Sequence, residues 1–214
     1  MNITIIGAGN MGKGIGTRFV AGGHSVTFVD VMPEAAEKAV ANVKAAAQKG
    51  AKVSSSSLGD AQLGEVVVLA VAYGTNIEIA KQLGSRLAGK VVVDIANPLN
   101  ATYNGLATAA DSSSAEDLAR AIVPGAKVVK AFNTTFAGTL LAGQVAGQTL
   151  DVFIAGDDEA AKKMVSQLVT DGGMRAIDAG PLHRARQIEG MQLLHIVLQG
   201  TLGTNWGSTV KFLG

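Results

Sequence analysis

The chain has 214 residues, no cysteine and a formal net charge of +1 with its charges interspersed, which excludes disulfide and thiolate chemistry and offers no basic surface for nucleic acid. Hydrophobic residues make up 48% but aromatics only 4%, so the apolar content is mostly Ala, Val, Ile and Leu, as a parallel sheet wrapped by helices requires. The longest apolar run, 66–72, is far too short to span a membrane. The opening residues already read as a strand, which leaves no place for a signal peptide, so a cytoplasmic protein is expected.

Residues 3–14 read ITIIGAGNMGKG. Ile3, Thr4, Ile5 and Ile6 are all β-branched and predict a buried strand. Met11, Ile15, Phe19 and Val20 follow with helical spacing. Between them stands G-x-G-x-x-G: Gly7 for a tight turn, Gly9 for close approach of a pyrophosphate, and Gly12 for close packing of helix on strand. The amides that open this helix, at Asn10 and Met11, then face the phosphates. A second strand, 25–29, ends at Asp30, eighteen residues beyond Gly12, where an acid is expected to hydrogen-bond the adenosine ribose.

Strand and helix patterns alternate from there on. A helix is predicted over 33–50, from Pro33 to a stop at Gly50, and the serines 54–57 read as a loop. Strands over 65–72 and 90–98 flank a helix over 76–87. S-x-x-D at 114–117 predicts a capping box opening the helix 114–123, with a strand over 126–133 after it. The strand 151–158, a helix capped by Asp157 or Asp158, the strand 174–178 and a long helix over 181–200 complete the pattern, leaving a C-terminal tail. The expectation is a doubly wound parallel Rossmann-type α/β sheet, with a dinucleotide-binding domain over 1–150 and a small acceptor-binding or dimerising part over 151–214.

Ligands of such sheets bind outside the carboxyl ends of the strands. These ends carry Gly7, Gly9 and Gly12, then Asp30, the run Val71, Ala72 and Tyr73, then Asn97, and finally Asn133 and Thr135. Asn97 and Asn133 are candidates for the nicotinamide side of the cofactor, and Asn133 and Thr135 for the pocket of a hydride acceptor. The three histidines, His24, His183 and His195, read as packing or surface residues, Arg184, Arg186 and Glu189 as a solvated face, and Trp206 as packing or a stacking surface for a flat ring. No catalytic constellation and no metal-spaced cluster is present in the sequence. Hydride transfer between two bound cofactors needs none, because the protein has only to align two ring atoms.

Five segments, IIGAGNMGKGIGTRFVAGGHSV, VVVDIANPL, VVKAFNTTFA, FIAGDDEAAKKMVSQL and DAGPLHRARQIEGMQLL, cover nearly the whole chain in order. Together they resemble the family of NADP-dependent coenzyme F420 oxidoreductases, and the KAFN segment is similar to that of the STEAP metalloreductase cytoplasmic domain. The resemblance implies a Rossmann domain with a small C-terminal part, a homodimer, and hydride exchange between NADP and coenzyme F420 near the AFNT strand end. Archaeal members carry His where Asn133 stands, and Ser-Arg, a clasp for the 2′-phosphate, where Asp30 and Val31 stand. Those differences leave a flavin, or a small imine or carbonyl compound, as other acceptors, and Asp30 favours NAD over NADP. A dinucleotide-binding sensor without turnover is the reading from a different class.

Overall fold

The structure is a computed structural model that describes residues 1–48 and 50–213. β1 (Asn2–Ile6), α1 (Asn10–Ala21), β2 (Ser25–Val29), α2 (Pro33–Lys44) and β3 (Val53–Ser56) come first. β4 (Val66–Leu69), α3 (Thr75–Leu83), β5 (Val91–Asp94), α4 (Ser114–Ala121) and β6 (Lys127–Lys130) follow. Then come α5 (Ala137–Ala142), a small hairpin of β7 (Gln144–Val145) and β8 (Gln148–Thr149), β9 (Asp151–Gly156), α6 (Glu159–Asp171), β10 (Arg175–Gly180) and α7 (Ala185–Leu202).

Eight strands form one sheet in the order β10-β9-β6-β5-β4-β1-β2-β3. The chain runs outward from β1 to β2 and β3 on one side, and to β4, β5 and β6 on the other. The direction of winding therefore reverses between β1 and β4, which opens a crevice at their carboxyl ends. β4 is buried on both faces. Val66 and Val68 join the core under α1, α2 and α6, while Val67 and Leu69 join the core under α3 and α4. This is why the strand reads as an unbroken apolar run.

The expected Rossmann-type doubly wound sheet is present, and it is mostly but not wholly parallel. β9 runs antiparallel to β6, and β10 runs parallel to β9. The reason lies in the connection. Between β6 and β9 the only helix is α5, whose six residues extend about 9 Å and cannot carry the chain back across the sheet. The chain re-enters at the edge where it left.

Three local expectations are corrected. The helix predicted over 33–50 stops at Lys44; the Gln48 amide instead bonds the Val20 carbonyl at 3.0 Å, and Lys49 of the predicted span lies outside the described residues. The serines read as a loop form most of β3, an edge strand whose Ser54 hydroxyl meets that of Thr27 at 3.0 Å. An edge strand is solvated, so hydroxyl-bearing residues suit it. The capping box sits one residue earlier than predicted: Ser113 accepts from the Glu116 amide at 3.2 Å.

Candidate active site

The glycine turn lies at the winding reversal. Gly7 has φ +104°, and a Cβ there would collide with the Ala70 carbonyl at the end of β4. A Cβ on Gly12 would strike the Gly7 carbonyl. Gly9 differs: it caps α1 in extended conformation, and a Cβ there would meet nothing within 4 Å. The space over Gly9 is thus open at the amino end of a helix, a cradle of the kind an anionic pyrophosphate occupies.

Asp30 is tied to this turn. Its Oδ2 accepts from the Ala8 amide at 2.7 Å, and its Oδ1 from the Met32 amide at 3.0 Å. One carboxylate therefore fixes both the glycine turn and the start of α2. Two cavities share it. An apolar slot of about 170 Å3 is lined by Val29, Val31, Leu58, Val71 and Ile79 among others. A polar one of about 250 Å3 is lined by Asp30, Pro33, Ala36, Glu37 and Ser55, Ser56 and Ser57. No basic side chain lines the polar cavity among the described residues.

Asn97 and Asn133 meet at the ends of β5 and β6. Asn133 Nδ2 donates to Asn97 Oδ1 at 3.0 Å, and Asn97 Nδ2 donates to the Asn133 carbonyl at 2.9 Å. Asn133 is 1% exposed, and its Oδ1 is buried without a partner, as is the Thr134 hydroxyl. The turn that carries them is strained at its root: Phe132, fully buried, has φ +64°. The Thr135 hydroxyl donates to the Phe132 carbonyl at 2.6 Å and braces the same turn. Tyr73, just after the end of β4, is tied to α4. Its hydroxyl donates to Asp117 at 2.7 Å, and that bond, with burial, pushes the phenol up to about 12. The Ala72 carbonyl accepts the Asn76 amide at 3.1 Å.

Beside the glycine turn lies a cavity of about 730 Å3. Asn10 and Met11 of α1 form one side, Phe136 and the start of α5 the floor, the hairpin residues Gln144 to Ala146 the rim, and Asn205 to Gly207 the far wall. Among the described residues, no charged side chain lines it. Phe136 stacks on His195 at 4.5 Å between ring centroids and meets Trp206 edge-on at 5.1 Å. Asn205 and Trp206 both have positive φ, so a strained turn holds the half-exposed indole in place. The C-terminal segment is strapped down on both sides of this turn. His195 bonds Gln192 at 3.0 Å and Ser208 at 2.7 Å. Asp151 receives Lys211 at 2.9 Å, the Phe212 amide at 3.2 Å and both guanidinium arms of Arg175.

Sequence reasoning missed the hairpin rim and the role of Phe136, and it misread Glu189. Far from a solvated face, Glu189 is fully buried and pairs with Lys130 at 2.7 Å, while Lys130 also pairs with Asp94 at 2.8 Å. Arg186 is half-buried and donates to the Ala109 and Ser112 carbonyls. A signal was present: Asp94 is a lone charge that ends the apolar run Val91 to Val93, and Lys130 stands between Val129 and Ala131 at the inner end of its strand. Among the described residues, no helix is long and apolar enough to cross a membrane.

Comparison with known proteins agrees with this arrangement. The family described as NADP oxidoreductase, coenzyme F420-dependent, matches residues 2–98, which hold the glycine turn, Asp30 and Asn97. The F420-dependent NADP reductase of Methanocaldococcus jannaschii is 33% identical over 92% of each chain. The rat metalloreductase STEAP3 is 31% identical over 89% of this chain and 36% of its own length. A crystal structure from Arthrobacter sp. FB24, provisionally assigned as an F420-dependent NADP reductase, superposes with a TM-score of 0.80 at 30% identity over 99% of both chains. The chain belongs to the family of F420-dependent NADP oxidoreductases.

Proposed function

We propose that the protein transfers a hydride directly between a nicotinamide dinucleotide lying along the glycine turn and a deazaflavin ring seated in the 730 Å3 cavity. The observation that carries this reading is the shared wall. Asn10 and Met11 belong to the turn of α1 that opens over Gly9, and the same two residues line the uncharged cavity walled by Phe136 and Trp206. Two flat rings can therefore meet on one helix terminus, and the chain itself needs no proton donor at the meeting point. The test is to mix protein, reduced nicotinamide cofactor and oxidised coenzyme F420, and to follow loss of the deazaflavin absorbance.

The protein's own part is to bind, orient and keep out water. The α1 amides meet the pyrophosphate, and the apolar slot beside Asp30 takes the adenine. Asn133 Oδ1, the orphaned acceptor, receives a carboxamide N–H and so sets the face that the nicotinamide presents. Phe136 and Trp206 cover the acceptor ring. The bound rings supply the hydride donor and acceptor carbons.

Two finer points follow. The chain prefers NAD to NADP, because Asp30 and Glu37 bring two carboxylates and, among the described residues, no cation to the cavity where a 2′-phosphate would lie. The protein also works as a homodimer built on residues 151–214. In its second half α7 turns Gln192, His195 and Gln199 inward and leaves Leu194, Val197 and Leu202 outward. Such an inverted helix presents an uncharged apolar stripe, and a second copy of the same stripe, related by a two-fold axis, covers it.

A further inference from the structure

Beneath the Asn97–Asn133 pair lies a fully buried ionic cluster that the function above does not use. It holds one cation, Lys130, and two carboxylates, Asp94 and Glu189, each 0% exposed. Asp94 ends β5, and Lys130 ends β6 three residues before Asn133. Lys130 also donates to the Ala96 carbonyl, next to Asn97. Glu189 follows Ile188, whose carbonyl lies 3.5 Å from Asn133 Nδ2. The cluster is thus one residue from each side chain proposed to hold the nicotinamide.

Every partner of the two carboxylates is a donor. Asp94 accepts from Lys130 at 2.8 Å, Asn76 Nδ2 at 2.9 Å and the Ala96 amide at 3.2 Å. Glu189 accepts from Lys130 at 2.7 Å and, through both oxygens, from the Ser114 amide at 3.1 and 3.3 Å. Protonating either carboxyl would cost it one of these donors. Two ionised carboxylates against one ammonium leave one uncompensated negative charge. The other charged groups near Glu189 offset it only in part. On α4, Arg120 is already paired with Asp117. Tyr73, packed beside them, is neutral, and Arg186 on α7 keeps its positive charge but is only half-buried on the Ala109 and Ser112 carbonyls, where solvent screens it more than the fully buried cluster.

We infer that Glu189, acting through Lys130 and Asp94, is a positioning residue that makes the site bind the positively charged oxidised nicotinamide more tightly, relative to the neutral reduced one, than the same site would without this charge. The inference rests on the reading of Asn97 and Asn133 as the nicotinamide end. A unit charge acting through an effective dielectric constant of about 20 over about 10–20 Å changes an affinity ratio by about four- to fifteenfold. Burial pushes the Glu189 carboxyl up from its ordinary value, against the pull of Lys130. The preference therefore fades as pH falls toward and through this raised range, while binding of the reduced form changes little.

The test is equilibrium binding of oxidised and reduced NAD, and of ADP-ribose, which lacks the nicotinamide, to wild type, Glu189→Gln and Glu189→Asp. Glu189→Gln is expected to weaken oxidised NAD about four- to fifteenfold relative to reduced NAD, with ADP-ribose unchanged. Glu189→Asp, which keeps the charge, should restore most of the ratio. If Glu189→Gln fails to fold, the ratio for wild type, followed as pH is lowered, replaces it and should fall. Unchanged ratios in the variants and across pH, or equal losses for all three ligands, would overturn the inference while leaving the dinucleotide site standing. Failure of wild type to bind any of the three would remove the underlying reading, and this inference with it.

Discussion

Asn97 and Asn133, thirty-six residues apart and at the ends of adjacent strands, hold each other by two hydrogen bonds, at 3.0 and 2.9 Å. The pairing spends both amide groups except one oxygen, Asn133 Oδ1, which is buried without a partner. An unmet buried acceptor costs about 1–3 kcal/mol, and a ligand donor would recover it. Asn133→Leu removes that acceptor. Hydride transfer should slow by roughly tenfold or more, with a smaller rise in the dinucleotide Kd. Single-turnover rates set beside equilibrium titration measure both. Equal large losses in each would place Asn133 on dinucleotide binding alone.

At the other end of the dinucleotide, Asp30 decides between cofactors. If repulsion and lost ribose hydrogen bonds together cost about 1.4–3 kcal/mol, wild type should favour NADH over NADPH by roughly ten- to hundredfold. Asp30→Ser with Val31→Arg should narrow or reverse this, since an arginine fork suits a phosphate. Values of kcat/KM for both reduced cofactors give the answer. A wild type that favours NADPH would show that Asp30 does not face the ribose. Because Asp30 also holds the Ala8 amide, the variant needs a thermal melt as control.

The outward face of α7 predicts assembly. Leu194 is 58% exposed and Val197 47%. Leu194→Glu with Val197→Glu should convert a dimer to a monomer with the fold retained. Sedimentation at micromolar concentration reads the mass of both proteins. A wild type that sediments as a monomer would contradict the assignment.

The strap that carries Trp206 is sensitive to acid. Burial would lift the Asp151 carboxyl, but hydrogen bonds from Arg175, Lys211 and the Phe212 amide hold it below the usual carboxylate range. Its pKa is therefore lower folded than unfolded, so its contribution to stability is complete above the ordinary carboxylate value and is lost as pH falls through the depressed one. Trp206 is the single tryptophan, so its fluorescence reports the strap. Acidification below the ordinary carboxylate range should shift that emission. Asp151→Asn should shift it already at neutral pH and weaken acceptor binding, with dinucleotide binding intact. An emission insensitive to both changes would mean that the strap is held otherwise.

Much of this arrangement was legible in the residues. The glycine turn, Asp30 and the alternation of strand and helix follow from local rules, because each depends on spacing within one βαβ unit. The antiparallel entry of β9 was not legible, since it depends on α5 being too short to cross the sheet. Ser54 to Ser56 read as loop because an edge strand lacks the apolar signature of a central one. The bond from the Thr135 hydroxyl to the Phe132 carbonyl was not legible, since it depends on the positive φ of Phe132. The burial of Glu189 could not be read from α7 alone, because its partners are Lys130, fifty-nine residues away, and the Ser114 amide, seventy-five away. The cavity wall brings together α1, α5, the hairpin and the C-terminal turn, and no local pattern announces that meeting.

The central claim is direct transfer between two bound rings, and isotope tracing tests it most directly. Reduced nicotinamide cofactor bearing deuterium on the transferred position of C4 is mixed with oxidised coenzyme F420 and the protein. The deuterium is expected at C5 of the reduced deazaflavin, without dilution by solvent. Gly9→Val, which fills the open space over the glycine turn, should abolish the transfer with the fold retained. Tight binding of the dinucleotide with no oxidation of coenzyme F420, or a label lost to solvent, would contradict the account.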